Sequence, residues 1–245
     1  MPKVKAPEDG RRQTPLDRMF GVIHGRYDRI NRLFTWGMDK RWRKRLVAAL
    51  LKLEPKKVLD IGCGTGDLSI SIARQSHGKV EITGCDFSKP MLEMAVKKAK
   101  ELAPNGKATF IHGEVAQMPF PDETFDCIGI AFALRNLIFE NPLAGKHLSE
   151  IIRVLKPGGY CLIVESSQPS NKIIRLLSHL YLRTYVYGVG ILISGSRDAY
   201  RYLVQSAIHF YTPEELEKLL LAAGFRRFSF RPLFFGAAGI YQAQK

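Results

Sequence analysis

Residues 58–67 read Val-Leu-Asp-Ile-Gly-Cys-Gly-Thr-Gly-Asp, and no other stretch restricts the fold as much. Val58-Leu59-Asp60-Ile61 is a short apolar run suited to a strand buried in a parallel sheet. Gly62, Gly64 and Gly66 then make a turn without Cβ atoms, which lets a ligand come close to the backbone. Leu68, Ile70, Ile72 and Ala73 follow as a helical run. Strand, glycine turn and helix in this order place a nucleotide-like ligand at the edge of a doubly wound sheet.

The spacing then separates two kinds of ligand. A dinucleotide turn reads G-x-G-x-x-G and sets a helix N-terminus against a pyrophosphate. Here the pattern is G-x-G-x-G, between Asp60 and Asp67. Two carboxylates beside the turn suit a cationic ligand with amino groups better than a pyrophosphate. S-adenosyl-L-methionine carries a sulfonium, an ammonium, a ribose and an adenine. The block resembles motif I of class I methyltransferases; the alternative is a purely structural glycine turn.

A chain of 245 residues, 46% of them hydrophobic, can build one α/β domain with a substantial core. The polar, charged N-terminus does not resemble a signal peptide. No unbroken apolar run reaches the length of a membrane span, so none is expected. Cys63, Cys85, Cys127 and Cys161 lie far apart without C-x-x-C spacing, which points to reduced core thiols, no metal site and a cytoplasmic setting. Charge is uneven: residues 1–57 hold 16 Lys/Arg against 6 Asp/Glu, a net +10 of the chain's +14. The run Lys40-Arg41-Trp42-Arg43-Lys44-Arg45 is its densest part. Such a surface suits an anionic membrane or nucleic acid, or is simply a solvated basic helix.

Residues 1–14 read as a disordered basic tail and 15–245 as a single domain, in which 15–53 form a helical cap. Strands are expected at 80–85, 108–112, 125–131 and 160–165. Helices are expected at 90–102, with Ser88 as its cap, and at 143–155, closed by Lys156-Pro157-Gly158-Gly159. This alternation argues for a parallel α/β sheet. Residues 171–193 interrupt it with an apolar stripe at helical spacing, loosened afterwards by Gly188, Gly190 and Gly195. The insertion, taken to residue 200, is a candidate lid over the cofactor, or ordinary packing at the sheet edge. A capping box at Thr212 and Glu215 starts a helix that Gly224 stops, and two closing strands follow at 228–233 and 238–242.

Asp86, at the end of the second strand and followed by Phe87, is placed to accept the ribose hydroxyls. Glu114 and Val115 follow the third strand, where class I methyltransferases read the adenine edge, here through backbone contacts. Thr65, within the glycine turn, either contacts the methionine portion or caps the next helix. With Asp60, Gly62, Gly64, Gly66 and Ala131, these make the expected cofactor site.

Several further segments resemble one branch of the class, the ubiquinone/menaquinone biosynthesis C-methyltransferases. They include Tyr27-Asp28-Arg29-Ile30-Asn31, Met118-Pro119-Phe120, Phe132-Ala133-Leu134-Arg135-Asn136 and Leu155-Lys156-Pro157-Gly158-Gly159. The likeness covers roughly residues 20–240, and its most specific parts are Tyr-Asp-x-x-Asn and Phe-x-Leu-Arg-Asn. It implies a Rossmann-like, seven-stranded, mostly parallel sheet with N-terminal helices and a helical insertion after strand five. It also implies methylation of a ring carbon of a prenylated quinol. Ala133 and Ala131 stand where the family has Gly and Ser, so a serine contact to the cofactor is missing. Tyr241 stands in a closing segment that lacks the family's His.

In the implied mechanism Arg135 stabilises a ring oxyanion and Asn136 fixes the ring hydroxyl. Tyr27 and Asp28 close over the site, and Asp28 or a water it holds accepts a proton. His24 is a second candidate base. The structural alternative for Arg135 is a salt bridge to the entry helices. The insertion and Phe234-Phe235 offer a groove for the prenyl tail, and the basic N-terminal helices would face the membrane. Other lipophilic acceptors (a sterol, a tocopherol-like phenol, a polyketide) are the nearest alternatives. An RNA methyltransferase is further off, because no Asn/Asp-Pro-Pro-Tyr/Phe motif is present. No nucleic-acid partner is expected, and an oligomer is compatible with the chain.

Overall fold

Strand β1 (Lys57–Ile61) is an interior strand, third across a seven-stranded sheet, and its residues divide two cores between them. Leu59 and Ile61 enter one hydrophobic cluster and Val58 the other, as the period-two geometry of a strand requires. The computed structural model describes residues 32–245. The expected tail at 1–14, the first part of the helical cap, and His24, Tyr27 and Asp28 lie outside the described residues.

From β1 the chain runs through α2 (Asp67–Gln75) to β2 (Glu81–Asp86), then through α3 (Lys89–Leu102) to β3 (Lys107–His112). It then crosses to the other side of β1 as β4 (Phe125–Ala131). Two helices, α4 (Leu134–Ile138) and α5 (Ala144–Val154), lead to β5 (Leu155–Ser166). The order is β3-β2-β1-β4-β5, then β7 (Ala238–Gln244) and β6 (Arg227–Leu233), with β7 antiparallel to both neighbours. The winding therefore reverses between β1 and β4, where such sheets hold their ligands. Helix α1 (Met38–Leu51) covers one face, burying Trp42, Leu46, Val47 and Leu50. The four cysteines are buried and free.

Three local expectations need correction. Ser88 precedes α3 without a side-chain cap; its N–H instead donates to Asp86 Oδ1 at 2.9 Å. The Lys156–Gly159 segment does not stand outside the sheet. It belongs to β5, with Gly158 at φ +75° and a register shift against β4 between Phe125 and Cys127. Gly188 and Gly190 do not loosen the insertion. Helix α6 (Lys172–Tyr181) continues through a wide π turn (Leu182–Val186) into α7 (Tyr187–Ser194) and stops only at Gly195, φ +72°. Gly190 is there for close packing: a Cβ on it would come within 2.1 Å of the Tyr200 ring. Tyr200 belongs to α8 (Arg197–Ile208), which precedes α9 (Pro213–Ala222) and its Thr212–Glu215 capping box.

Candidate active site

The loops after β1, β2, β3 and β4 meet at one edge of the sheet. Gly62 (φ +64°) and Gly66 (φ +80°) take backbone conformations that a side chain strains. A Cβ on Gly62 would also come within 2.5 Å of Ala133 Cβ, beyond β4. A Cβ on Gly64 would meet nothing within 4 Å, so its backbone borders open space. The turn is tied to β2: Gly62 and Cys63 donate to the Cys85 carbonyl, and Gly64 N–H donates to Asp86 Oδ2 at 2.8 Å.

Two buried carboxylates flank this turn. Asp60 accepts from the Ser69 hydroxyl at 2.6 Å and the Ser69 N–H at 3.0 Å, both on Oδ2. Its Oδ1 is buried with no hydrogen-bond partner. Burial lifts the Asp60 carboxyl from 3.8 to about 7, against the pull of the Ser69 bonds and Arg43. Burial also raises Asp86, opposed by the N–H groups of Ser88 and Gly64. The third acid, Asp67, is different. Burial pushes it up, but Arg43 and Lys98 overcome that and hold it below its ordinary value. Lys98 also donates to the Thr65 hydroxyl at 3.0 Å. Thr65 does not cap α2, whose N-cap is Gly66.

Beyond β2, Phe87 is partly exposed, and its carbonyl meets His112 Nε2 at 2.9 Å. Glu114 and Val115 form a tight turn closed by Gln117 N–H on the Glu114 carbonyl, with Val115 buried. Ala131 ends β4 half-buried, and Phe132 turns there with φ +60°. The expected cofactor residues thus gather at the switch point. An unpartnered buried carboxylate oxygen beside an open glycine backbone fits a ligand that brings a cation and a ribose.

A second space adjoins this edge through Phe132 and Arg43. It is a cavity of about 700 Å³, within the range of small-molecule sites. Arg135 and Asn136 line it. The Arg135 side chain is only 11% exposed. It donates through Nη1 to Ser166 Oγ at 3.0 Å and lies 4.0 Å from Glu165 Oε1, while its Nε is buried without a partner. Glu165 is fully buried and also accepts the N–H groups of Arg135 and Ser166. Among the described residues, the partner of Arg135 is the end of β5. Glu165 was not among the expected site residues. A carboxylate closing the apolar run Cys161-Leu162-Ile163-Val164 is the same signal that marks Asp86 at the end of β2.

The walls are apolar and aromatic, from Trp42 and Phe132 to Ile174, Tyr181, Phe234 and Phe235. Phe234 and Phe235 hold left-handed backbone, φ +44° and +55°, a strain of about 1–3 kcal/mol each for a non-glycine residue. Helix α6 supplies one wall and is fastened to the segment before α1: Trp36 Nε1 donates to the Tyr181 hydroxyl, which donates to the Phe34 carbonyl, each at 2.9 Å. Gln168 donates both amide hydrogens to the Ala207 and Ile208 carbonyls, so its Oε1 accepts from His179 Nε2 at 2.9 Å. These tethers join residues far apart in sequence, and no local pattern announces them. Among the described residues no group of three or more His, Cys, Asp or Glu side chains is arranged to hold a metal.

A sheet of this order, with a glycine turn and strand-end carboxylates at its switch point, defines an S-adenosyl-L-methionine-dependent methyltransferase of Rossmann-like fold. Solved structures share the architecture. A possible histamine N-methyltransferase from Thermotoga maritima superposes with a TM-score of 0.61 at 22% identity, over 92% of this chain and 99% of that one. Human N-acetylserotonin methyltransferase, in complex with S-adenosylmethionine, gives 0.62 at 20% identity, over 95% and 60%. The sequence goes further: the chain belongs to the ubiE/COQ5 methyltransferase family, which matches residues 8–245. It is 40% identical to a demethylmenaquinone methyltransferase of Thermotoga maritima over 95% of this chain and 96% of that protein. It is 38% identical to the ubiquinone/menaquinone biosynthesis C-methyltransferase UbiE of Geobacter sulfurreducens, over 93% and 87%.

Proposed function

We propose that this enzyme methylates a ring carbon of a prenylated quinol, demethylmenaquinol or a ubiquinol precursor. The observation that carries the proposal is the polarity gradient of the cavity. Its buried end holds the Arg135 guanidinium, and its exposed end is formed by Leu177, Phe234 and Phe235. A phenolic ring with a hydrocarbon tail has the same gradient. The names of the relatives support the same acceptor.

Bound S-adenosyl-L-methionine supplies an electrophilic methyl group. Asp86 accepts the ribose hydroxyls beside Phe87, and Glu114 and Val115 meet the adenine through their backbone. Asp60 would supply the carboxylate for the ammonium charge, and Thr65 with the amides of Gly62, Gly64 and Gly66 would hold the methionine portion. Ala131 contributes no side-chain hydrogen bond. Arg135 favours the phenolate form of the ring, whose carbon is far more nucleophilic than that of the phenol. Asn136 fixes the ring hydroxyl, and Asp28, or a water it holds, takes the proton. Tyr27 closes over the ring, and His24 is the second candidate for the base. The α6–α7 insertion covers the site. The enzyme works in the cytoplasm and meets the membrane where its acceptor resides.

The test is an acceptor panel: demethylmenaquinol, a demethylated ubiquinol precursor, a sterol and a tocopherol-like phenol, each with labelled cofactor. Turnover confined to the quinols is expected. Preference for the sterol or the phenol overturns the acceptor assignment while leaving the enzyme class intact.

A further inference from the structure

Helix α6 shows a second apolar face that is exposed among the described residues. Ile173, Leu176 and Leu180 are 69%, 68% and 54% exposed, at the spacing of one helical stripe. Phe235 is 77% exposed. Leu177, Phe234 and Phe235 are exposed and also line the cavity, so its mouth opens on this face. From residue 166 to 197 the chain has Lys172, Arg175, Arg183 and Arg197 and no carboxylate.

We propose that the exposed stripe of α6, with the Phe234–Phe235 turn, lies in the headgroup boundary of an anionic bilayer, and that the lipid acceptor enters the cavity from there. The docking surface stands on exposure and charge alone. The entry route rests on the prenylated-acceptor proposal. Three observations select the bilayer. Apolar side chains flanked by cations, without acids, match an anionic interface. A second copy of the chain would place the same cations against one another across a two-fold axis, with no acid within residues 166–197 to answer them. Residues 172–193 are long and apolar enough to cross a membrane, yet their other face walls the cavity and Tyr181 is bonded to Trp36 and Phe34. The helix therefore lies on the bilayer and does not span it.

The test is flotation of the full chain on phosphatidylcholine vesicles with and without phosphatidylglycerol, beside the variant Leu176→Glu/Leu180→Glu. Both positions are exposed, so an unchanged melting temperature is expected for the variant. Flotation of the parent on anionic vesicles and about a tenfold loss in the variant are expected. Equal flotation of both overturns the docking surface. So does flotation lost on neutralising Lys40, Arg41, Lys44 and Arg45 but kept in the α6 variant. So does a dimer of the parent that the variant dissolves. The entry route is tested by rates on a long-tailed quinol in vesicles and a short-tailed quinol in solution. Loss of the first alone is expected in the variant, and equal rates overturn the route. Anionic flotation through α6 by a protein that methylates no quinol would sink the acceptor proposal and leave the docking surface standing.

Discussion

Arg135 is held by its neighbours before any ligand arrives, which decides how its loss should register. Ser166 and Glu165 fix the guanidinium, which lines the cavity. Arg135→Ala should lower turnover by at least about 10²-fold, the scale of removing an oxyanion donor, with little change in cofactor affinity by calorimetry. Equal loss of both would assign it a structural role. Glu165→Ala leaves that cation without its buried partner and should destabilise the fold by about 3 kcal/mol in chemical denaturation. Asp60 sets a pH dependence. Its folded value, about 7, lies above the ordinary 3.8. Between those values the folded chain keeps a proton that the unfolded chain has released. Its contribution to stability is thus complete below the lower value and lost as pH rises through the upper one. Asp60→Asn should remove this fall from a plot of unfolding free energy against pH; an unchanged slope would place the raised group elsewhere.

At the scale of elements, local chemistry was legible where one segment supplies both partners. The capping box of α9 forms as its Thr-x-x-Glu spacing indicates, and Thr212→Ala should cost about 1 kcal/mol in thermal unfolding. The β4 boundaries match the apolar run that defines them. Legibility failed where a distant residue decides. Gly190 reads as a helix breaker in isolation, but the Tyr200 ring needs the space its missing Cβ leaves. Gly190→Ala should therefore destabilise by about 1–3 kcal/mol through overpacking, although alanine favours helix. Ser88 reads as a cap until Asp86 takes its N–H. The loops at the β1–β4 reversal were readable because strand ends and glycines mark them in sequence. The cavity was only half readable. Phe132–Asn136 carried a recognisable pattern, whereas Glu165, Trp36 and the Gln168–His179 pair become neighbours only through the fold.

Across the whole molecule, two sites share one edge of the sheet. Glycines and carboxylates at the β1–β4 reversal suit a small cationic nucleoside, and the apolar cavity beside them suits a ring with a tail. Among the described residues Phe132, Arg135 and Asn136 line the cavity beside the turn, and the proposed methyl transfer takes place along that segment. The same edge carries the exposed stripe of α6, where the cavity opens. Everything turns on methyl transfer to carbon. The most direct measurement is therefore the reaction of demethylmenaquinol with cofactor carrying a ¹³C-methyl group, followed by NMR of the extracted lipid. A labelled methyl on a ring carbon is the expected result; label on oxygen, or an unlabelled quinol after complete incubation, would contradict it.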